Sequence, residues 1–534
     1  MQPNNALEID ERSRRSASLA FIGRLTERHA GLLVAVIAAL LCLPFIRSIW
    51  LLADEGIWLH AAQRILRGEI LYRDFFEFHP PLGFLIVTGW VYLFGPSLVA
   101  ARLLVMLVMV TTAWFTFSCC KIASGRPSLS AVITVSWIAA GQGLWTQVSH
   151  HWLTTMFSMI ALWGVLSPRN RAGPAIAGIA ASAATLVTTH RGALIVLAGF
   201  GSLFLQKSPQ KMLTYIISGI SLLGITICFI FLLGAATQAF DQVILWTIKQ
   251  YSGIQPVPFG AFLAPQRLLV VMIFPLTFCL SIFSLVRFRP TILSRPHLGA
   301  LVLFAIAGFV GCFPRPDDIH IAFSMVLALP LFATLLDTIF PKGHGTPVLR
   351  SAALLVCFVP VFPLLMSVRY VIAGRPVESA VGPIVVIPDN GTTELIERLK
   401  TLPNGDSVFF YPYDPVLPVL TGRRHPARLD LLLPQYTTPD QYRETCLEVM
   451  RGSQWVVIDE EIIRPSFYHA IFPAMRNPSP PDKVAFEAAL RSGFELKGHY
   501  GDFSLLQRSA MPSGLCSQIA PQPQQSHLAS SFFE

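Results

Sequence analysis

The sequence predicts an α-helical polytopic membrane protein with a small C-terminal α/β domain outside the membrane. Of its 534 residues, 53% are hydrophobic and only 13% are charged, whereas soluble proteins carry roughly a quarter charged residues. Long apolar runs alternate with short loops rich in arginine and lysine. After about residue 373 the long runs stop and shorter, amphipathic segments follow. These three observations define the expected fold class.

The apolar runs predict about 11 to 13 spanning helices, since roughly 17 to 25 residues are needed to cross the hydrocarbon core. The first run begins only near Gly31, so it is expected to be a retained span preceded by a cytoplasmic tail, residues 1–29. The transmembrane domain is then 30–372. The predicted spans are 31–50, 80–95, 98–120, 129–147, 151–166, 172–188, 192–205, 212–234, 268–286, 298–313, 321–340 and 348–372.

The basic residues predict the orientation, because arginine and lysine accumulate in cytoplasmic loops. For the same reason the net charge of +9 does not indicate nucleic acid as a partner. The loops expected in the cytoplasm contain Lys121 and Arg126, Arg169 and Arg171, Lys207 and Lys211, Arg287, Arg289 and Arg295, and Lys342 and Arg350.

The segments near His150 and His190, residues 235–265 and 315–320, and everything after 372 are then extracytoplasmic. The expected location is the inner membrane of a bacterium. One conflict remains, because two predicted spans separate the loop 51–80 from Lys121 and would put both on one side. Either one short segment does not cross, or one charge signal misleads.

Residues 373–510 predict the outer α/β domain. Helical spacing of apolar residues marks 394–400 and 482–491, and short apolar runs at 407–411 and 455–458 are typical of buried strands. The Pro/Gln/Ser-rich stretch 511–534 is expected to be disordered. Cys446 and Cys516 lie outside the membrane segments, where they either pair or remain free thiols.

The first outward loop, about 51–80, concentrates ionisable residues between two apolar runs. They are Asp54, Glu55, Arg64, Arg67, Glu69, Arg73, Asp74, Glu77 and His79. Charged groups beside hydrocarbon are costly to desolvate, so functional reasons for keeping them gain weight. Asp54 and Glu55 either mark the outer interface of the first span or supply a general base for an acceptor hydroxyl.

The segment 72–81 is either a connector rich in interfacial aromatic residues or part of a phosphate site. In the second interpretation, Arg73 and His79 contact the phosphate. Glu77 and His79 are also candidate ligands for a divalent metal, although two ligands without a third are weak grounds for a metal site. No cofactor is otherwise indicated.

The stretch from Trp50 to Arg102 resembles the C-type membrane glycosyltransferases, which include protein O-mannosyltransferases and the aminoarabinose transferase of lipid A. The shared features are Asp-Glu after the first span, a helix ending at Gly68, Leu-Tyr-Arg-Asp at 71–74, His-Pro-Pro-Leu at 79–82, Leu-Phe-Gly-Pro-Ser at 93–97, and Arg102. The remaining spans resemble the family only in hydropathy, and the stretch 416–425 resembles the tail of bacterial members.

This resemblance implies transfer of a sugar from a polyprenyl-phosphate donor to a lipid, glycan or protein acceptor outside the cytoplasm, usually with inversion. It makes Asp54 the base or acceptor-orienting group, with Glu55 as its usual neighbour. His79 stands where many bacterial members have lysine. The family often has a second acid in a later outward loop, whereas here 147–151 reads Gln-Val-Ser-His-His, so the second acid is missing.

A departing phosphate needs cations near its developing charge. Arg191 interrupts a long apolar stretch and resembles the Lys-Gly element of relatives; it either contacts phosphate or ends a span. Lys249 and Tyr251 lie in the outward loop 235–265 and either touch substrate or belong to an interfacial helix. Residues 315–320 form either a plain turn or a lipid-phosphate site, and Asp414, Arg423 and Arg424 are expected to be structural.

Two other functions compete with a glycosyltransferase. A transporter or lipid-linked sugar flippase would line a path with mid-membrane charges and show inverted repeats. This chain instead concentrates its charges in one loop and has no evident repeat. A non-catalytic relative is disfavoured by Asp54 and mildly favoured by the missing second acid.

Overall fold

A computed structural model describes residues 29–50, 53–142, 145–167, 171–263, 267–341, 361–509 and 514–519. Most of the first 373 residues form helices. In chain order these are α1 (His29–Phe45), α2 (Ala53–Leu66), α3 (Pro81–Phe94), α4 (Leu98–Ser124), α5 (Pro127–Ala140), α6 (His150–Leu166), α7 (Gly173–Thr185), α8 (Thr189–Leu205), α9 (Pro209–Leu232), α10 (Ala236–Phe240), α11 (Leu268–Arg287), α12 (Leu298–Val310), α13 (Asp318–Ile339) and α14 (Val361–Ala373). A π-helical segment, Asp241–Tyr251, follows α10.

Within the described residues, α4, α9, α11 and α13 are long and apolar enough to cross a membrane. Local signals set their ends: α4 begins after Ser97, whose hydroxyl accepts the Ala100 amide, and ends at Gly125, which has a left-handed φ of 68°. Other apolar helices, such as α8 and α12, are shorter. The predicted span 348–372 lies largely outside the described residues. The exact number of spans therefore stays a prediction.

Two of the basic loops meet at one end of the bundle. Arg126 and Arg295 approach the same carboxylate, Asp337, at 3.5 and 2.8 Å. Beyond the other end of α5, the Val148 amide donates to Glu55 of the first loop at 3.1 Å. These two basic loops and the first loop thus lie at opposite ends. The membrane orientation stays a prediction.

Helix α3 is shorter than the predicted span 80–95 and lies near the outer domain at both ends. Its 14 residues extend about 21 Å, whereas the hydrocarbon core is roughly 30 Å thick. The Phe76 amide, before α3, donates to the Arg428 carbonyl at 3.0 Å, and the Leu98 amide, after it, donates to the Val381 carbonyl at 3.2 Å. If α3 stays on this face, α4 alone separates the acidic loop from Lys121 and the orientation conflict disappears; the number of crossings stays a prediction.

The outer domain contains two sheets. Strands β1 (Ser48–Trp50), β2 (Arg375–Ser379) and β3 (Gly382–Ile387) form a three-stranded sheet in the order β1-β3-β2. Strands β4 (Val408–Tyr411), β5 (Trp455–Asp459), β6 (Phe494–Tyr500) and β7 (Phe503–Arg508) form a four-stranded sheet in the order β4-β5-β7-β6, in which β4 and β5 are parallel. The larger helices of the domain are α15 (Thr392–Lys400), α16 (Val416–Thr421), α17 (Pro439–Gly452), α18 (Pro465–Ile471) and α19 (Pro481–Gly493).

The predicted elements of this domain are confirmed, because α15, α19, β4 and β5 fall where the periodicity placed them. Cys446 and Cys516 form a disulfide across a sequence separation of 70. Residues 514–519 therefore belong to the outer domain, although they lie in a stretch predicted to be disordered.

The first outward loop and the outer domain form one structure. Strand β1 pairs in parallel with β3, so Ser48 lies opposite Val385. Further along, α2 packs on α16 so closely that a Cβ atom on Gly56 would lie 2.1 Å from the Val416 amide nitrogen. Only glycine permits this approach of two backbones.

Candidate active site

Asp54 lies in the first turn of α2 and faces both the bundle and the outer domain. The Tyr413 hydroxyl, which follows β4, donates to Asp54 Oδ1 at 3.4 Å. Burial raises the pKa of Asp54 above its usual value, although His320, the Tyr413 hydrogen bond and Arg315 all oppose that rise. As a whole residue, Asp54 is half-buried.

Glu55 faces away from this site. It is fully buried and receives two hydrogen bonds from Arg102, that of Nη2 to Oε2 measuring 2.8 Å. The Val148 amide adds a third at 3.1 Å. Its catalytic assignment stays a prediction, but these contacts are those of a residue that fixes the start of α2. Successive residues of a helix point about 100° apart, so Asp54 and Glu55 have different surroundings.

Histidines from three segments form a chain of neighbouring rings, and one of them, His320, acts electrostatically on Asp54. The rings of His79 and His150 are 4.5 Å apart, those of His150 and His151 are 3.9 Å apart, and those of His151 and His320 are 4.8 Å apart. Among the described residues, the Nδ1 atoms of His79 and His150 are buried and have no hydrogen-bond partner. An imidazole nitrogen can donate to a phosphate oxygen when it carries a proton, so these rings form a polar wall that a phosphate can contact.

Arg191 reaches this wall from the start of α8. Its Nη1 lies 3.3 Å from His151 Nδ1, and its Nη2 donates to the Thr155 hydroxyl at 3.4 Å. Gly192 makes the position possible, because a Cβ atom there would lie 2.1 Å from the Thr185 backbone nitrogen. Among the described residues, no carboxylate is hydrogen-bonded to Arg191. Phosphate contact by Arg191 stays a prediction with favourable geometry.

The segment 315–320 supplies an acid near Asp54, in place of the carboxylate absent from 147–151. Asp317 accepts from the His320 ring at 2.7 Å and from Arg315 Nε at 2.9 Å. Burial alone would raise the pKa of Asp317, but His320 and Arg315 outweigh it and hold the pKa below its usual value. Asp317 in turn raises the pKa of Asp54. The signal that could have found it was a cluster of charges between two apolar runs.

Tyr251 also belongs to the site, whereas Lys249 does not. The Tyr251 ring packs on Phe78 and Tyr436 at 5.4 and 5.5 Å. Burial raises the pKa of Tyr251 to about 12, so it is a hydrogen-bond donor at neutral pH. Lys249, two residues earlier, is exposed on the π-helical segment. The structure does not place it with the other predicted residues.

Arg73 lies outside the wall as well. Its guanidinium is 44% exposed and pairs with the adjacent Asp74 at 2.9 Å. That carboxylate raises the pKa of Arg73. A role for Arg73 in binding the donor phosphate stays a prediction without a structural contact to support it.

Glu77 and His79 do not share surroundings that suggest a metal. Burial raises the pKa of Glu77 well above its usual value, with a further contribution from Asp430. His79 instead packs on Trp58 at 5.2 Å, and burial lowers its pKa to about 3. Across the described parts of the chain, no three histidine, cysteine or acidic side chains are grouped as metal ligands.

Solved structures of known proteins share this fold. ArnT from Cupriavidus metallidurans bound to undecaprenyl phosphate matches with a TM-score of 0.54 at 11% identity, over 92% of this chain and 98% of that chain. ArnT in the apo state matches with a TM-score of 0.51 at 11% identity, over 95% and 100% of the two chains. No protein-family model and no curated protein matches the sequence. The chain therefore has the fold of the C-type membrane glycosyltransferases (GT-C fold), as its motifs predicted.

Proposed function

We propose that this protein is a multi-pass membrane glycosyltransferase. It takes a sugar from a polyprenyl-phosphate donor and transfers it to a lipid, glycan or protein acceptor on the extracytoplasmic face, with inversion. The solved relative with undecaprenyl phosphate bound supports this choice of donor. The observation that carries the proposal is the position of Asp54, an acidic, half-buried residue between the helix bundle and the outer domain.

The residues around Asp54 suit a single displacement. The acceptor oxygen bonds to C1 of the donor sugar while the bond from C1 to the phosphate oxygen breaks, and that electron pair leaves with the phosphate. The acceptor proton passes to the Asp54 carboxylate. Attack from the face opposite the phosphate inverts the configuration at C1.

The leaving phosphate needs positive charge and hydrogen-bond donors as its negative charge grows. Arg191 and the wall formed by His79, His150, His151 and His320 are suited to that task, and His320 is the member of the wall that acts electrostatically on Asp54. The unpartnered nitrogens of His79 and His150 are the free donors or acceptors of this wall. Arg315 is less suited, since it is engaged by Asp317, Gln255 and the Ile471 carbonyl.

The test is sugar transfer by purified protein in lipid vesicles, with a panel of polyprenyl-phosphate sugars and a lipid and glycan extract as acceptor. Asp54→Asn should abolish transfer, because it removes the base and barely changes the volume of the side chain. Wild-type rates in Asp54→Asn would contradict the assignment of Asp54. Movement of intact lipid-linked sugar across the bilayer without transfer would instead identify a flippase.

A further inference from the structure

Tyr413 is the outer-domain residue that touches the proposed base. It lies 359 positions from Asp54 in the sequence, two residues after β4, and its hydroxyl donates to Asp54 Oδ1 at 3.4 Å. Its ring is only partly buried. No sequence motif marked it, because contact between such distant positions depends on how the outer domain docks.

The docking is fixed by backbone rather than by flexible side chains. Helix α16 begins three residues after Tyr413 and packs directly on α2, where a Cβ atom on Gly56 would clash with Val416. Because the main chains of α2 and α16 are in contact, the relative position of these two helices determines the distance from Tyr413 to Asp54.

A buried cluster of ionisable residues connects α2 to Asp430 of the outer domain. His60 Nδ1 lies 2.7 Å from Asp430 Oδ2, and Arg64 Nη1 lies 3.2 Å from Asp430 Oδ1. All three residues are at most 8% exposed. Gly56, His60 and Arg64 follow one another at a spacing of four residues and so share one face of α2. The outer domain is therefore attached along the whole face that begins beside Asp54.

A tyrosine hydroxyl that donates to a carboxylate stabilises its charged form. This is the form that accepts a proton. The same bond fixes one carboxylate oxygen and leaves the other free to face an acceptor. In a site where burial favours the neutral acid, that stabilisation is needed for a base.

We infer that Tyr413 is a positioning residue for Asp54, through which the outer domain keeps the carboxylate ionised and oriented toward the acceptor. The inference rests on the proposed role of Asp54 as the base. It assigns the outer domain a direct part in catalysis.

The test measures Asp54 itself, without donor or acceptor. Dicyclohexylcarbodiimide modifies protonated carboxyl groups, so the extent of Asp54 modification against pH, read by peptide mass spectrometry, gives its titration midpoint. Tyr413→Phe should move this midpoint to higher pH. Tyr411→Phe is the matched control, because the Tyr411 hydroxyl donates to Glu487 at 2.8 Å in the same domain and does not touch Asp54. Each variant is first checked for wild-type helicity and a single size-exclusion peak.

A midpoint unchanged in Tyr413→Phe, or raised equally in Tyr411→Phe, overturns the inference. Gly56→Ala gives a second perturbation that keeps the phenol but moves α16 away, and it should shift the midpoint in the same direction. In the transfer assay, Tyr413→Phe should lower the rate at acidic pH roughly tenfold, the effect of one hydrogen bond to a charged group. Full transfer by Asp54→Asn would refute the proposed base and leave the titration result standing.

Discussion

Glu55 and Arg102 form a buried, two-pronged ion pair beneath the residue proposed as the base. Arg102 also donates to the carbonyl of Ser48, the first residue of β1, at 2.7 Å. The pair thus ties together α2, α4 and the strand that enters the outer domain. The position of the pair gives Glu55 a structural role directly after Asp54: Glu55 anchors the first turn of α2, and this turn positions Asp54.

Glu55→Gln should destabilise the protein by about 3–5 kcal/mol, because it leaves the Arg102 charge buried without its counter-ion. Thermal unfolding in detergent measures the change. Asp74→Asn is the control, since its pair with the exposed Arg73 is screened by solvent and should contribute little to stability. Loss of transfer in Glu55→Gln at unchanged stability would argue for a catalytic role of Glu55.

Gly56→Ala should destabilise the docking of the outer domain, although alanine normally favours a helix by about 1 kcal/mol over glycine. The added Cβ would lie 2.1 Å from the Val416 nitrogen, so α16 must move. Gly89→Ala in α3 is the matched control, because no atom lies within 4 Å of a Cβ there. Unfolding temperatures should fall for Gly56→Ala and stay equal or rise for Gly89→Ala. Equal effects would contradict the close packing of α2 and α16.

Arg191→Ala should weaken binding of undecaprenyl phosphate at least roughly tenfold, the loss expected for one charge-assisted contact. Tryptophan fluorescence titration in detergent gives the affinity. Arg73→Ala provides the comparison, since its guanidinium is exposed and paired with Asp74, and its affinity should match the wild type. The opposite ranking would move the phosphate site to the first loop.

His79→Phe should make the protein more stable than the wild type in mild acid. Burial lowers the pKa of His79 to about 3 in the folded state from 6.5, so unfolding takes up a proton between these values. The stability of the wild type therefore falls as pH drops from about 6.5 toward 3, by up to about 1.4 kcal/mol per pH unit from this group. Unfolding temperatures at pH 5 and pH 8 test this: the variant should gain only at pH 5. A constant difference at both values would contradict it.

Removing the disulfide with Cys446→Ser and Cys516→Ser should destabilise the outer domain by about 2–5 kcal/mol. The exposed free thiol Cys228 supplies the control, Cys228→Ser, which should change little. Limited proteolysis of the outer domain compares the variants. Identical cleavage rates would show that the cross-link contributes nothing to folding.

Residues whose chemistry stands out locally are predictable from the sequence. Asp54 and His79 lie in a cluster of charged residues between two apolar runs, Arg191 interrupts an apolar stretch, and Tyr251 lies in a predicted outward loop; the structure brings them to one end of the bundle. Arg73 and Lys249 were selected on the same grounds but lie at the surface, since a charge beside the membrane is cheap when water can reach it.

The remaining features depend on contacts between distant positions. Tyr413 meets Asp54 only because the backbones of α2 and α16 touch, and no local pattern encodes that approach. Likewise, 80–95 is as apolar as the neighbouring segments. Hydrogen bonds from Phe76 and Leu98 to the outer domain, which the sequence does not reveal, place both ends of α3 near that domain. Asp317 lies in a segment with two open interpretations, a plain turn or a lipid-phosphate site; its ion pairs with Arg315 and His320 could not be predicted from the sequence, and the choice between the two stays a prediction.

The pairing of β1 with β3 also fixes an order of events during synthesis. The ribosome makes Ser48 and Asp54 long before Val385 and Tyr413 exist, so the contacts that join them form late in synthesis. A chain that stops before residue 385 has most of the bundle but lacks both partners. Any activity of the proposed site that depends on these contacts is then absent from such a fragment.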